Sequence, residues 1–252
     1  MLVEGLTFLR ERFKQRLSSD PKETKALERD TTLLTGAMGF LGAFLLRALA
    51  RALRLPVDSG RVKASHRIIC LVRAKSDRDA LVRVQKALKY YRIILPENAP
   101  IILGIAGDLE KPPLGFSEEK YVELGIRLCG IFHCGAHVTS AFPYATLKES
   151  NVGGTRRIIE LALLAPELIF ERIKHPKDVV SKCKISAKVN FISTMGFLSQ
   201  GHSEFLDVSD THPVRRSRYA HSKNAADQIV RRSGCEATVF RPGVISGDSV
   251  SG

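Results

Sequence analysis

The sequence predicts an α/β protein, a doubly wound Rossmann-type parallel sheet flanked by helices. Three observations predict it. From Thr31 onward, short apolar runs alternate with longer segments of helical period, the spacing that places strands in one parallel sheet and helices on both of its faces. The first junction between run and helix, LLTGAMGFLG from Leu33 to Gly42, carries three glycines and no charge. The last long helical segment holds Tyr219 and Lys223 four residues apart, in YAHSK.

Each element follows in order. Leu2, Leu6, Leu9, Phe13 and Leu17 recur at helical spacing before SSDPKETK interrupts them, so residues 1–30 are expected to form an amphipathic helix and linker ahead of a main domain of residues 31–252. In that domain TTLLT reads as a strand and FLGAFLLRALARALR as its helix. RIICLVR pairs in the same way with DRDALVRVQKALKYY, and IILGIAG with SEEKYVELG. GIFHCGA then precedes ATLKESNVGGTRRIIELALL, KVNFIST precedes a loop and RYAHSKNAADQIVRR, and ATVFRP closes the series. The stretches LPVDSGRVKASH, HPKDVVSKCKISA and SQGHSEFLDVSDTHPVRRS read as insertions.

Composition narrows the partners. The chain has 252 residues, 44% of them apolar, enough to fill one large core. Lys and Arg outnumber Asp and Glu by 39 to 26, for a net charge of +13. The cations are spread over many segments without an arginine-glycine or recognition-helix pattern, and aromatic residues are only 7%, so no nucleic-acid partner is expected. A basic face for an acidic protein remains open. Cys70, Cys129, Cys134, Cys183 and Cys235 are odd in number and widely spaced, which argues against a disulfide framework or a zinc site and for a reducing, intracellular setting. The N-terminus lacks the features of a signal peptide and no apolar run reaches membrane-spanning length. A soluble, cytoplasmic protein with no membrane partner is expected.

Gly36, Gly39 and Gly42 lie three apart, after a strand and at the opening of a helix. Glycines there permit a tight turn, bring backbone N–H groups close to a pyrophosphate and let helix and strand pack closely, so the loop is expected to cradle a dinucleotide. The second strand ends at Arg73, where a protein that grips a free adenosine ribose places an acid. An arginine suits a 2'-phosphate, which favours NADP over NAD, with Asp77 as the competing ribose ligand.

Tyr219 and Lys223 share one face of their helix. A phenol with a pKa of about 10 is a poor acid–base group at neutral pH, and a neighbouring ammonium is expected to favour its ionised form. NFISTMGF places Ser193 and Thr194 at a strand end, hydroxyls able to hold a substrate carbonyl oxygen beside that phenol. Joined to the glycine loop, this set signals hydride transfer.

On LLTGAMGFLGAFLL, IICLVRAKS, GDLEKPPLGFSEEKYVEL, IFHCGAHV, FPYATLKESNVGGT, YAHSK and RPGVISGDSVSG, the chain resembles an extended short-chain dehydrogenase/reductase. Within that superfamily it closely resembles the thioester reductase domains of nonribosomal peptide synthetases, polyketide synthases, carboxylic acid reductases and aminoadipate reductases. The resemblance spans nearly all of Thr31 to Gly252. It implies Thr194, Tyr219 and Lys223 as the catalytic trio and Thr35, Gly36, Gly39, Phe40, Leu41 and Gly42 about the pyrophosphate. It also implies Arg73 at the 2'-phosphate, Asp108 and Leu109 near the adenine, and Cys134, Gly135 and Ala136 along the cofactor. Pro242, Gly243 and Val244 are implied near the nicotinamide, with Asn151 in a supporting role. The implied reaction is NADPH-dependent reduction of an acyl or peptidyl thioester on a carrier protein, through a hemithioacetal, to an aldehyde that a second round could take to an alcohol.

Three departures accompany the resemblance. SKNAAD stands where many relatives read SKWVAE, which replaces an aromatic with Asn224 and shortens an acid to Asp227. His137 follows HCGA where an apolar residue is common; HCGAH spaces two histidines like a helical zinc pair, but the strand-loop context predicts packing and no metal site. The sequence ends at Gly252, where relatives continue into a helical lid, so a largely absent substrate lid is expected. The alternatives are a fatty acyl-CoA reductase, a nucleotide-sugar epimerase or dehydratase, and a non-catalytic NADP-binding scaffold.

Overall fold

The computed structural model describes residues 29–53, 66–139, 141–170, 186–195, 218–243 and 245, with only the backbone in 165–170. The expected helix and linker of residues 1–30 lie outside the described residues except for Arg29 and Asp30, as do nearly all of the three insertions.

Six strands, β1 (Thr31–Thr35), β2 (Arg67–Val72), β3 (Ile101–Ala106), β4 (Leu128–His133), β5 (Lys188–Ile192) and β6 (Ala237–Phe240), form one sheet. All pairings are parallel and the order is β3-β2-β1-β4-β5-β6. The helices are α1 (Phe40–Ala52), α2 (Asp77–Tyr90), α3 (Glu118–Arg127), α4 (Tyr144–Leu147), α5 (Gly154–Phe170) and α6 (Arg218–Arg232). A π-helical segment, Lys148–Gly153, joins α4 to α5.

β1 is buried along its whole length because it lies inside the sheet and is covered on both faces. On one face Ile68, Cys70 and Leu34 pack against Leu46 and Leu49 of α1 and Ala80, Val84 and Leu88 of α2. On the other, Leu33, Ile131 and Phe191 meet Tyr121 of α3, Ile158 and Leu161 of α5, and Ala226 and Val230 of α6. Burying one such leucine or isoleucine contributes about 1.5–3 kcal/mol. These two cores fix where the strand ends point.

The helix starts differ in a way that anticipates the site. Ser76 caps α2 by accepting from the Asp79 N–H, and Ser117 caps α3 by accepting from the Lys120 N–H; both helices carry two acids in the first turn. α1 has neither a capping side chain nor an acid in its first turn.

Candidate active site

The strand order reverses between β1 and β4, and at their carboxyl ends opens a cavity of about 600 Å³. Ligands of open parallel sheets bind at that switch point. Among the predicted site residues in the described part, all line this cavity except Asn151, which is buried behind it. Val244 lies outside the described residues.

The glycine loop fills the turn from β1 into α1, and its three glycines have separate reasons. Gly36 has φ of 76°, and a Cβ there would stand 2.8 Å from the Gly135 nitrogen. A Cβ on Gly42 would stand 2.1 Å from the Gly36 carbonyl oxygen, so the helix can approach the loop only without a side chain. Gly39 needs glycine for neither cause: its φ of −80° suits any residue, and the nearest atom to a Cβ is 3.5 Å away. Gly39 and the residues after it face the cavity, and the N–H groups of Phe40, Leu41 and Gly42 begin the uncapped helix. The Phe40 ring packs against Phe44 and Tyr91 at centroid distances of 4.9 and 5.7 Å, so this residue offers the cavity its backbone. Open space at Gly39 together with uncapped amides is a cradle that fits a pyrophosphate.

Arg73 and the loop after β3 enclose one end. Asp108 and Leu109 line the cavity there, joined by Glu110, which sequence reasoning did not single out. Backbone contacts hold the loop: the Asp108 N–H donates to Leu114 O at 2.7 Å, and the Glu110 N–H donates to Asp108 Oδ1 at 3.0 Å. Arg157 of α5 donates from Nη1 to Leu109 O at 2.7 Å. Asp77, the competing ribose ligand, is occupied elsewhere, accepting from Lys120 Nζ at 2.8 Å and from the Ala106 N–H at 2.7 Å.

Behind the middle of the cavity lies a buried polar chain. Thr155 donates to Asn151 O at 2.6 Å, which leaves its oxygen to accept from His133 Nε2 at 3.1 Å. The other ring nitrogen, Nδ1, then accepts from Thr35 Oγ1 at 2.7 Å, and Thr35 in turn accepts from the Gly135 N–H at 2.9 Å. The partners therefore set the ring tautomer. Burial, assisted by the charge of Lys223, pushes the imidazole down to about 3, so His133 is neutral at ordinary pH. Thr35 lines the cavity but turns its hydroxyl inward; its part is to hold Gly135. Cys134 beside it has a thiol pushed up to about 12 by burial, against the opposing pull of Lys223.

Asn151 sits in the π-helical segment and joins two walls. Its Oδ1 accepts from the His137 N–H at 2.7 Å, while Nδ2 donates to Ser222 Oγ at 2.9 Å and to His137 O at 3.2 Å. Ser222 donates to the Tyr219 carbonyl at 2.7 Å, so the loop after β4 and the start of α6 are held together.

The far end gathers Ser193, Thr194, Tyr219, Lys223, Pro242 and Gly243. Parallel pairing of β5 and β6 brings Ser193, Thr194, Pro242 and Gly243 together, continuing through the Ser193 N–H to Phe240 O at 2.7 Å, while α6 supplies Tyr219 and Lys223. The Ser193 hydroxyl is buried with no hydrogen-bond partner among the described residues, an orphan polar atom at the cavity wall. Lys223 is 2% exposed; its Nζ lies 4.1 Å over the Phe191 ring and finds no hydrogen-bond partner among the described residues. Burial pushes it down to about 7, against the opposing pull of Cys134 and Asp227. The Tyr219 phenol is raised by burial. This differs from the expectation that the lysine would favour the ionised phenol: desolvation acts on both groups and dominates.

Asp227, the shortened acid, is completely buried and accepts from Arg241 at both carboxylate oxygens, at 2.9 and 2.8 Å. This fork ties α6 to the segment that follows β6. Asn224, the other departure, is buried, with Oδ1 unpartnered among the described residues. Of the histidine pair, His133 has both nitrogens engaged and His137 packs edge-on against Phe142 at 5.0 Å. Among the described residues no group of three His, Cys, Asp or Glu is arranged to hold a metal, and no helix is long and apolar enough to cross a membrane.

A nicotinamide-dinucleotide-binding family model, described as Male sterility protein, matches residues 34–252. Over 245 residues the chain is 34% identical to a linear gramicidin synthase of Brevibacillus parabrevis, covering 94% of this chain and 4% of that one. Over 237 residues it is 30% identical to the L-2-aminoadipate reductase large subunit of Penicillium chrysogenum, covering 92% and 16%. The solved terminal R domain from the myxalamid PKS-NRPS biosynthetic pathway matches at a TM-score of 0.64 and 33% identity, covering 90% of this chain and 51% of that one. The chain thus spans about half of that domain and a small part of the two larger proteins.

Proposed function

Because the chain belongs to the nicotinamide-dinucleotide-binding family described as Male sterility protein, we propose that it is a reductase that takes an acyl or peptidyl thioester from a carrier protein, uses NADPH and releases an aldehyde. One observation carries the reading. A single cavity has uncapped helix amides at one end and Tyr219, Lys223, Thr194 and an orphan Ser193 hydroxyl at the other.

The amides of Phe40, Leu41 and Gly42 hold the pyrophosphate, Arg73 the 2'-phosphate, and Lys223, Pro242 and Gly243 the nicotinamide half. Bound there, NADPH supplies the hydride to the thioester carbonyl carbon. The hydroxyls of Ser193 and Thr194 orient the carbonyl oxygen toward Tyr219. The phenol, kept protonated by its raised pKa, gives its proton to that oxygen as negative charge develops. Lys223, held at about 7, is partly charged at neutral pH and stabilises the phenolate left behind. The hemithioacetal then collapses to aldehyde and free thiol.

The test is NADPH oxidation with an acyl group tethered through phosphopantetheine to an acyl carrier protein, compared with the same acyl group on coenzyme A. Carrier-bound substrate is expected to give the higher kcat/KM. Tyr219→Phe keeps the ring but removes the proton donor, and is expected to lower turnover at least about 100-fold with NADPH affinity within about 2-fold. Tight NADPH binding without turnover of either thioester, or full turnover in Tyr219→Phe, would overturn the reading.

A further inference from the structure

We propose that Glu110 is a built-in competitor for Arg73: it pairs with the arginine and opposes an arriving 2'-phosphate, narrowing the margin by which NADPH is favoured over NADH. This rests on the reading that Arg73 receives the 2'-phosphate.

Val72 of β2 and Ala106 of β3 are register partners, so the segments that follow them leave the sheet side by side. Arg73 comes from one and Glu110 from the other, and both line the same end of the cavity. Arg73 Nη1 stands 3.9 Å from Glu110 Oε1, too far for a hydrogen bond but within ion-pair range, with the side chains 69% and 37% exposed. A long, solvated pair of this kind is weak and exchangeable. The Glu110 backbone is not exchangeable, because the Leu109–Glu110 peptide is held at both ends, its N–H by the Asp108 carboxylate and its carbonyl by Arg157. Any anion that reaches Arg73 therefore arrives within range of the Glu110 carboxylate.

The consequence depends on the charge of the ligand. A 2'-phosphate near neutral pH carries about −1.5 to −2 charges; it must displace the carboxylate from Arg73 and then tolerate it close by. A 2'-hydroxyl carries no charge and can donate to the same carboxylate. The penalty falls on the phosphorylated cofactor alone.

The experiment is calorimetric titration of the wild-type chain, Glu110→Gln, Arg73→Ala and the double variant with NADPH, NADH, adenosine 2',5'-bisphosphate and 5'-AMP. The two fragments read the adenosine end without any turnover. Glu110→Gln is expected to tighten NADPH and the bisphosphate about 3- to 10-fold at low salt, with a smaller gain at high salt, while NADH and 5'-AMP stay level or weaken. In the Arg73→Ala background the same change is expected to gain less, because no pair is released. Unchanged melting of ligand-free Glu110→Gln shows an intact fold. Selective weakening of NADPH by Arg73→Ala, combined with no gain in Glu110→Gln, overturns this inference and leaves the cofactor reading standing. If Arg73→Ala affects NADPH and NADH equally, the cofactor reading fails and this inference fails with it.

Discussion

Adding one methyl group at Gly39 separates what the fold requires from what a ligand requires. The backbone there is extended, with φ of −80° and ψ of 164°, and a Cβ would meet its nearest neighbour at 3.5 Å, an ordinary contact. For Gly39→Ala the loss of glycine at the helix N-cap and the reduced freedom of the unfolded chain oppose each other, leaving about 1 kcal/mol or less in either direction. For a domain of this size that moves Tm by about 2–4 °C at most. The ligand meets a different situation, because Gly39 lines the cavity and an added methyl is expected to take space that the pyrophosphate needs beside the Phe40, Leu41 and Gly42 amides. Losing one hydrogen bond to a charged group costs about 1.5–3 kcal/mol, or roughly 10- to 150-fold in affinity. Thermal melting of the ligand-free protein and calorimetric titration with NADPH are the paired assays. Gly42→Ala, with its Cβ 2.1 Å from a carbonyl oxygen, is the control that should damage melting itself. Wild-type NADPH affinity in a well-folded Gly39→Ala protein would refute the assignment of this loop to the pyrophosphate.

Two further expectations follow from buried charges. Lys223 is held at about 7 in the fold against an ordinary value of 10.5, so its unfavourable effect on stability is fully present below about pH 7 and fades as pH rises toward 10.5. An anionic dinucleotide favours the charged lysine, so binding at a pH of about 8 should take up a proton in the wild type and none in Lys223→Met. Calorimetry in buffers of different ionisation heat measures this, and absence of uptake in the wild type would refute it. Asp227→Ala removes the acceptor that Arg241 grips at both oxygens and should lower stability by about 3–5 kcal/mol. The denaturant midpoint reads that loss, and a change below about 1 kcal/mol would show the fork to be dispensable.

The elements were legible because local pattern and tertiary environment agree. TTLLT, RIICLVR and KVNFIST are apolar on both sides because their strands are covered on both sides, and RYAHSKNAADQIVRR coincides with α6. ATLKESNVGGTRRIIELALL read as one helix, whereas the structure divides it at a π-helical segment. Its cause is not periodic: the segment places Asn151 against His137 and Ser222, partners 14 and 71 residues away. Distance along the chain hid the rest of the site as well. His133 looked like half of a weak metal motif because Thr35 and Thr155, which engage its two nitrogens, are 98 and 22 residues off. Asp227 looked like a shortened acid while Arg241, its partner, lay 14 residues away, and Glu110 stood inside GDLEKPPLGFSEEKYVEL with no role assigned to it. The HCGAH spacing did give one usable signal: a histidine at the end of a buried strand needs two polar partners.

The Thr35–His133 contact also sets a timetable for synthesis. β1 is made before its β4 partner, so its β4 edge and the hydroxyl of Thr35 wait for a segment 98 residues later. At about 5–20 residues per second, the ribosome leaves that edge unpaired for roughly 5–20 s. During that interval the glycine turn exists without Gly135 behind it, and the first three strands are a half-sheet with an open apolar border. The nascent chain is therefore most exposed to mispairing in the interval before β4 emerges, and the nucleotide pocket is completed only after β5 and β6 have followed.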